Sequence, residues 1–183
     1  MLAAKPMAES AFIVHVPEAD PCVRALRERF DASVKLGVPA HITVLVPFMS
    51  PENITFSVLQ RSQAALNAVP SFSFRLCRVG RFPATTYLAP EPAEPFIALT
   101  QSLVNCFPEY PPFRGEHDSI IPHLTVANGS APAAEIAERE LASAVQAHGA
   151  IHSRCSSVAL LENSSGLWRQ MHAFALPLAR SGD

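Results

Sequence analysis

The chain has 183 residues, of which 49% are hydrophobic, and a formal net charge of −2. That length suits one compact unit with a sizeable core. The charge balance speaks against a protein that grips long nucleic acid by its phosphates, and no apolar run reaches the roughly 18 residues of a membrane span.

Met1–Ser10 carries one Lys and no long apolar stretch, so it does not read as a signal peptide. Ala11 to Val16 is a short apolar run closed by Pro17 and reads as a first strand. Val23, Leu26, Arg27 and Phe30 recur at helical spacing between Pro21 and Asp31, with Asp20 placed to cap them. A loop over 35–39 leads to a strand from His41 to Pro47. Ser50-Pro51-Glu52 opens a helix that runs to about Ala68, with Phe56, Leu59 and Leu66 as its core-facing stripe. Phe72 to Arg81 alternates apolar and polar residues, which predicts a half-buried strand, and Thr85 to Ala89 is its partner across a turn at Pro83. A rigid loop over 90–95 precedes a helix from Phe96 to Phe107. Tyr110 to Asp118, with two prolines and a glycine, is irregular, and Pro122 to Ala127 is a strand. Pro132 to His148 is a helix with Ile136, Leu141 and Val145 as apolar positions, stopped by Gly149. Ile151 to Glu162 and Leu167 to Leu176 form a hairpin around 163–166.

The second half of this order nearly repeats the first, an internal duplication of about 80 residues rather than a short-period solenoid. The predicted fold is α+β: a single bilobal unit, with two antiparallel sheets facing a central groove and helices outside. The lobe halves fall at roughly 11–91 and 92–178, with the terminal segments free to exchange between lobes.

Each half holds one copy of a short pattern. His41-Ile42-Thr43-Val44 and His123-Leu124-Thr125-Val126 both read His, aliphatic, Thr, Val, and stand 82 residues apart. Successive strand residues point to opposite faces, so each copy turns one imidazole and one hydroxyl to the same side and buries its aliphatic residues. Imidazole, with an unperturbed pKa of about 6.5, is suited to proton transfer near neutrality. Two facing copies supply a general base, a general acid and two hydroxyl donors for the oxygens of a phosphate held between them. That arrangement suits in-line displacement at phosphorus. His41 and His123 are the candidate catalytic residues, either able to take either role, and Thr43 and Thr125 the candidate phosphate binders.

The paired His-x-Thr-x pattern resembles the 2H phosphoesterase superfamily, which includes 2′-5′ RNA ligase-like proteins and cyclic nucleotide phosphodiesterases. The segments 39–48, 80–92 and 110–126 are particularly similar to bacterial 2′-5′ RNA ligase-like members. The resemblance implies a bilobal fold. It also implies a phosphoesterase that hydrolyses a cyclic or 2′-linked phosphodiester, such as a 2′,3′-cyclic phosphate at an RNA or nucleotide end. In a related member the same acid and base would serve the joining of RNA ends. Two further readings fit the pattern: a sensor that binds a nucleotide or RNA end without turnover, and hydrolysis of a non-RNA cyclic phosphate.

Tyr87, Phe82 and Trp168 are candidates to stack on a base, against the alternative that they fill the core. Trp168 falls on the same alternation as Gln170, His172 and Phe174, so it faces either groove or core. Arg81 and Arg114 are candidates to steer a phosphate. No metal or other cofactor is expected to bring His15, His117, His148, His152 or His172 together with the motif pair, and Thr is a poor metal ligand. Acyl transfer is not indicated either, since no Gly-x-Ser-x-Gly occurs. Cys22, Cys77, Cys106 and Cys155 are scattered and read as reduced thiols of a cytoplasmic protein. The expected partner is a nucleotide or RNA-end cyclic phosphate taken up by a monomer, with no membrane and no long nucleic acid.

Overall fold

A computed structural model describes residues 8–116 and 119–179. The first seven residues, which begin the segment read as no signal peptide, and His117 and Asp118 lie outside the described residues. Among the described residues the helices and strands follow in the order β1 (Ser10–His15), α1 (Asp20–Phe30), β2 (His41–Leu45), α2 (Phe56–Leu66), β3 (Phe72–Phe82), β4 (Thr85–Glu91), α3 (Glu94–Cys106), β5 (Leu124–Asn128), α4 (Ala131–His148), β6 (Ile151–Cys155), β7 (Ser157–Glu162) and β8 (Arg169–Ala175).

The fold is α+β and the sheet is antiparallel throughout. Its two halves are joined rather than separate: one eight-stranded sheet has the order β6-β3-β4-β5-β2-β1-β7-β8. The joint is narrow, with Ile42 opposite Leu124 as the register of β2 on β5. Both of these side chains are fully buried, so the seam is sealed by apolar contact beneath the motif residues. Each half-sheet takes two strands from each half of the chain. The β3–β4 hairpin joins β5, while the β7–β8 hairpin returns to β1.

The helices cross over in the same sense. α1 leaves β1 yet packs on β5 and on α4, which also covers β3 and β4. α3 leaves β4 yet packs on β2 and on α2, which reaches β8. One continuous core fills the space between this face and the helices, with Phe12, Ile42, Leu88, Phe96, Leu103, Leu124, Leu141 and Phe174 in it. A small second cluster, Ile13, Ala159 and Leu161 under Trp168, sits apart from it. The opposite face of the sheet is therefore free to form the groove.

Three local expectations are corrected. The helix expected from Ser50 is a 3-10 turn over Pro51–Asn53, and α2 starts at Phe56 with Thr55 as its cap, its hydroxyl accepting from the Val58 amide. Phe56 thus falls on the first turn and is 75% exposed, not core-facing. Ile136, expected on the apolar stripe of α4, is also exposed, while Leu141 is buried. The run 151–162 is two strands, not one. It breaks at Ser156, because β6 extends the edge beside β3 and β7 the other half-sheet beside β1.

Candidate active site

The two motifs meet at the seam. The pairing of Ile42 with Leu124, carried one residue either way, sets His41 beside Thr125 and Thr43 beside His123. Facing residues in such a pair lie about 5 Å apart, and the diagonal positions, here His41 and His123, about 7–8 Å. Ile42, Val44, Leu124 and Val126 are buried, whereas His41, Thr43, His123 and Thr125 are all half-buried on the groove side.

Both imidazoles are held in the same way. His41 Nδ1 lies 2.8 Å from the Pro39 carbonyl oxygen and His123 Nδ1 lies 2.7 Å from that of Ile121. A carbonyl only accepts, so each Nδ1 carries the hydrogen and donates it. Each Nε2 is then the nitrogen suited to proton transfer, a lone pair when the ring is neutral and a donor when it is charged. The residue two positions before each His is thus part of the site through its backbone, which side-chain patterns do not reveal.

Burial lowers the pKa of His41 to about 4. The hydrogen bond to Pro39 works against this, nearby Arg27 adds to the lowering, Asp31 opposes it, and His123 adds a further lowering. Burial also lowers His123, opposed by its bond to Ile121. The protein environment by itself therefore keeps both rings neutral at pH 7. Behind His41, Arg27 and Asp31 form a buried ion pair at 2.9 Å, and Arg27 also donates to the Val38 carbonyl at 3.2 Å, next to Pro39. Sequence spacing marked Arg27 only as a helical position. His15, opposite His41 in the β1–β2 pairing, is another groove-side residue that motif reasoning missed.

Three of the aromatic candidates line the groove. Tyr87 is paired with Thr125. The Phe82 and Tyr87 rings lie 4.6 Å apart, and 5.3 and 5.1 Å respectively from the His123 imidazole. Tyr87 lies across Gly80, where a methyl group would come within 2.4 Å of the ring. Trp168 flanks the other side, packed on Ile13, whose partner on β2 is Thr43. A register shift between Leu160 and Leu161 in the β7–β8 pairing decides its side. Leu161 and Trp168 belong to the groove-side cluster, whereas Leu160 and Phe174 belong to the main core. Trp168 and Phe174 therefore do not share a face, contrary to simple alternation.

The two arginine candidates lie elsewhere. Arg81 is paired with Thr86, whose hydroxyl bonds the Ala134 carbonyl of α4, and its own guanidinium meets Glu138 of α4 at 3.0 Å. It belongs to the helix side. Arg114 pairs with Glu9 at 2.6 Å and lines a broad cavity of about 850 Å³ with Pro47, Met49, Tyr110 and Asn163. That cavity contains none of the motif residues. The two motif imidazoles, the groups suited to proton transfer, stand in the groove and not in this cavity. Among the described residues no cluster of three or more His, Cys, Asp and Glu is arranged to hold a metal ion, and no helix is long and apolar enough to cross a membrane.

A family model described as the 2′-5′ RNA ligase superfamily matches residues 14–167. No curated protein matches the sequence. Among solved structures, TT0787 of Thermus thermophilus is similar at 19% identity with a TM-score of 0.56, over 94% of this chain and 100% of that one. E. coli LigT complexed with 3′-AMP is similar at 13% identity and a TM-score of 0.58, over 92% and 97% of the two chains. LigT complexed with NADP+ is similar at 16% identity and a TM-score of 0.56, over 94% and 99%.

Proposed function

Since this chain belongs to the 2′-5′ RNA ligase superfamily, we propose that it is a metal-independent phosphoesterase that opens a 2′,3′-cyclic phosphate at the end of an RNA or a nucleotide. The observation that carries this reading is the matched pair of reactive Nε2 atoms, each fixed by a backbone carbonyl on the opposite nitrogen. Two proton-transfer groups so prepared, on neighbouring strands of one seam, serve a displacement that needs one base and one acid.

The reaction runs in line. One neutral imidazole takes a proton from water as the water oxygen bonds to phosphorus. The other, protonated, gives its proton to the ribose oxygen as that P–O bond breaks. The product is a linear phosphomonoester. Thr43 and Thr125 donate hydrogen bonds to the non-bridging oxygens, which gain charge in the transition state. The substrate anion raises the pKa of the ring beside it and so supplies the protonated partner that burial alone disfavours. The site's pseudo-symmetry lets either His serve as base, with substrate polarity making the choice. Joining of RNA ends is the same ring opening with a ribose hydroxyl in place of water: its oxygen bonds to phosphorus as it gives its proton to the base, and the leaving ribose oxygen takes a proton from the acid. That E. coli LigT is complexed with 3′-AMP and with NADP+ supports a nucleotide as the class of ligand.

The test is incubation with 2′,3′-cyclic AMP and with a short RNA ending in a 2′,3′-cyclic phosphate, in EDTA, followed by phosphorus NMR. A linear 2′- or 3′-monoester is expected. Absence of product from both substrates would overturn the reading.

A further inference from the structure

The groove face of the β3–β4–β5–β6 half-sheet carries more than the motif. The β4–β5 pairing ends with Leu88 opposite Leu124, so the next step sets Ala89 beside His123. Ala89 is in turn paired with Arg78 on β3. With strands about 4.8 Å apart, the Arg78 backbone stands on the order of 10 Å from that of His123. Its side chain is long enough to reach towards the site and is 73% exposed. A register shift at Cys77 brings Arg75 to this same face, paired with Glu91 on one side and with His152 on the other. One step further, Arg154 lies opposite Ser73.

Three guanidinium groups and an imidazole thus run in a row away from His123. Glu91 is the one carboxylate among the described strand positions of this face, and Arg75 and Arg78 share it at 3.0 and 3.8 Å. Arg154 donates to the Ser71 hydroxyl at 2.8 Å. On the first half-sheet the position beside His41 that matches Ala89 is His15, and one step further in the β1–β7 pairing Ser157 stands where Arg78 stands on the other side, opposite Ala175 on β8. The motif residues are therefore near-symmetric, but their flanks are not: the guanidinium groups of Arg78, Arg75 and Arg154 stand on one side, whereas the other side has His15 beside His41 and Ser157 beyond it. The formal net charge of −2 hides this concentration.

We propose that Arg78, Arg75, His152 and Arg154 hold the backbone phosphates of a single-stranded RNA on the 5′ side of its reacting terminus. The proposal rests on the phosphoesterase reading for what sits at the histidines, and it names the substrate class: an oligoribonucleotide end rather than a free nucleotide. A basic track beside stacking aromatics, here Phe82 and Tyr87, is the combination that holds single strands without reading their sequence.

The experiment has two arms. Fluorescence anisotropy follows a labelled RNA nonamer with a 3′-phosphate across a salt series, with 3′-AMP as competitor. Steady-state kinetics then compares the cyclic-ended nonamer with 2′,3′-cyclic AMP. The wild type should bind the nonamer at least tenfold more tightly than 3′-AMP. In the double variant Arg75→Ala, Arg78→Ala this preference, and the kcat/KM ratio of nonamer to mononucleotide, should fall about tenfold. The slope of log affinity against log salt should become shallower by about 0.7 for each phosphate no longer neutralised. Glu91→Gln, which removes the competing carboxylate, should tighten nonamer binding. Equal affinity of the wild type for nonamer and 3′-AMP would overturn the proposal, as would equal losses on both ligands in the double variant. Salt-dependent nonamer binding with no turnover of either cyclic substrate would refute the phosphoesterase reading and leave the RNA track standing.

Discussion

Neutralising burial of His41 should appear as a pH dependence of folding that one substitution removes. The ring's pKa is lowered from its ordinary 6.5 to about 4 by burial, with Arg27 and His123 adding to the effect and Asp31 and the Pro39 carbonyl opposing it. Between those values the unfolded chain binds a proton that the folded chain refuses, so stability rises with pH. The contribution is complete above pH 6.5, is lost progressively as pH falls, and is gone below about 4. At 1.36 kcal/mol per pH unit the full loss is about 3 kcal/mol, of which about 2 kcal/mol has gone by pH 5. His41→Asn keeps an N–H donor for the Pro39 carbonyl but does not titrate. Urea unfolding of both proteins from pH 7.5 to 4.5 isolates the effect, since His123 and the carboxylates titrate in both. The wild type should lose about 2 kcal/mol relative to the variant by pH 5. Saturating 3′-AMP, whose anion favours the charged ring, should reduce that loss. Parallel stability curves for the two proteins would refute the reasoning.

Other outcomes follow from the same geometry. The pH profile of kcat/KM should be bell-shaped, with its alkaline limb below about 6.5 because both imidazoles are lowered in the free protein, and the limb in kcat should move upward as bound phosphate raises them. A flat profile from pH 5 to 9 would count against two-imidazole catalysis. Thr43→Val and Thr125→Val should each lower kcat by about 10- to 100-fold with little change in fold, as loss of one hydrogen bond to a charged oxygen costs about 1.5–3 kcal/mol; unchanged kcat in both would remove the hydroxyls from the mechanism. Gly80→Ala puts a methyl group into the Tyr87 ring, so KM for the nucleotide should rise several-fold and stability fall by about 1–3 kcal/mol. Wild-type KM and urea midpoint in that variant would mean the ring is not fixed there.

The motif strands were legible because their pattern is local: alternation alone places His41 and Thr43 together, and the buried Ile42 and Val44 confirm that face. The meeting of the two motifs followed from the duplication. The features that escaped sequence reasoning are set by register between distant strands. One extra residue in the β7–β8 pairing separates Trp168 from Phe174, and the pairing of Arg81 with Thr86 turns that arginine to α4 instead of the groove. The break at Ser156 is equally invisible locally, since both flanking runs favour strand and only their different neighbours part them. Phe56 illustrates a capping effect: Thr55 stops the helix from starting earlier, so an apolar residue ends on an exposed first turn. The carbonyls of Pro39 and Ile121, which set the tautomers, are backbone groups and have no residue signature.

The central claim is that His41 and His123 together open a cyclic phosphate without a metal. Turnover of a short RNA ending in a 2′,3′-cyclic phosphate, measured in EDTA for the wild type, for each single His→Ala variant and for the double variant, tests it most directly. A linear product from the wild type, with each single variant slowed at least about 100-fold and the double variant no more than modestly slower than either, is the predicted result. Full activity in either single variant, or wild-type turnover abolished by EDTA, would contradict it.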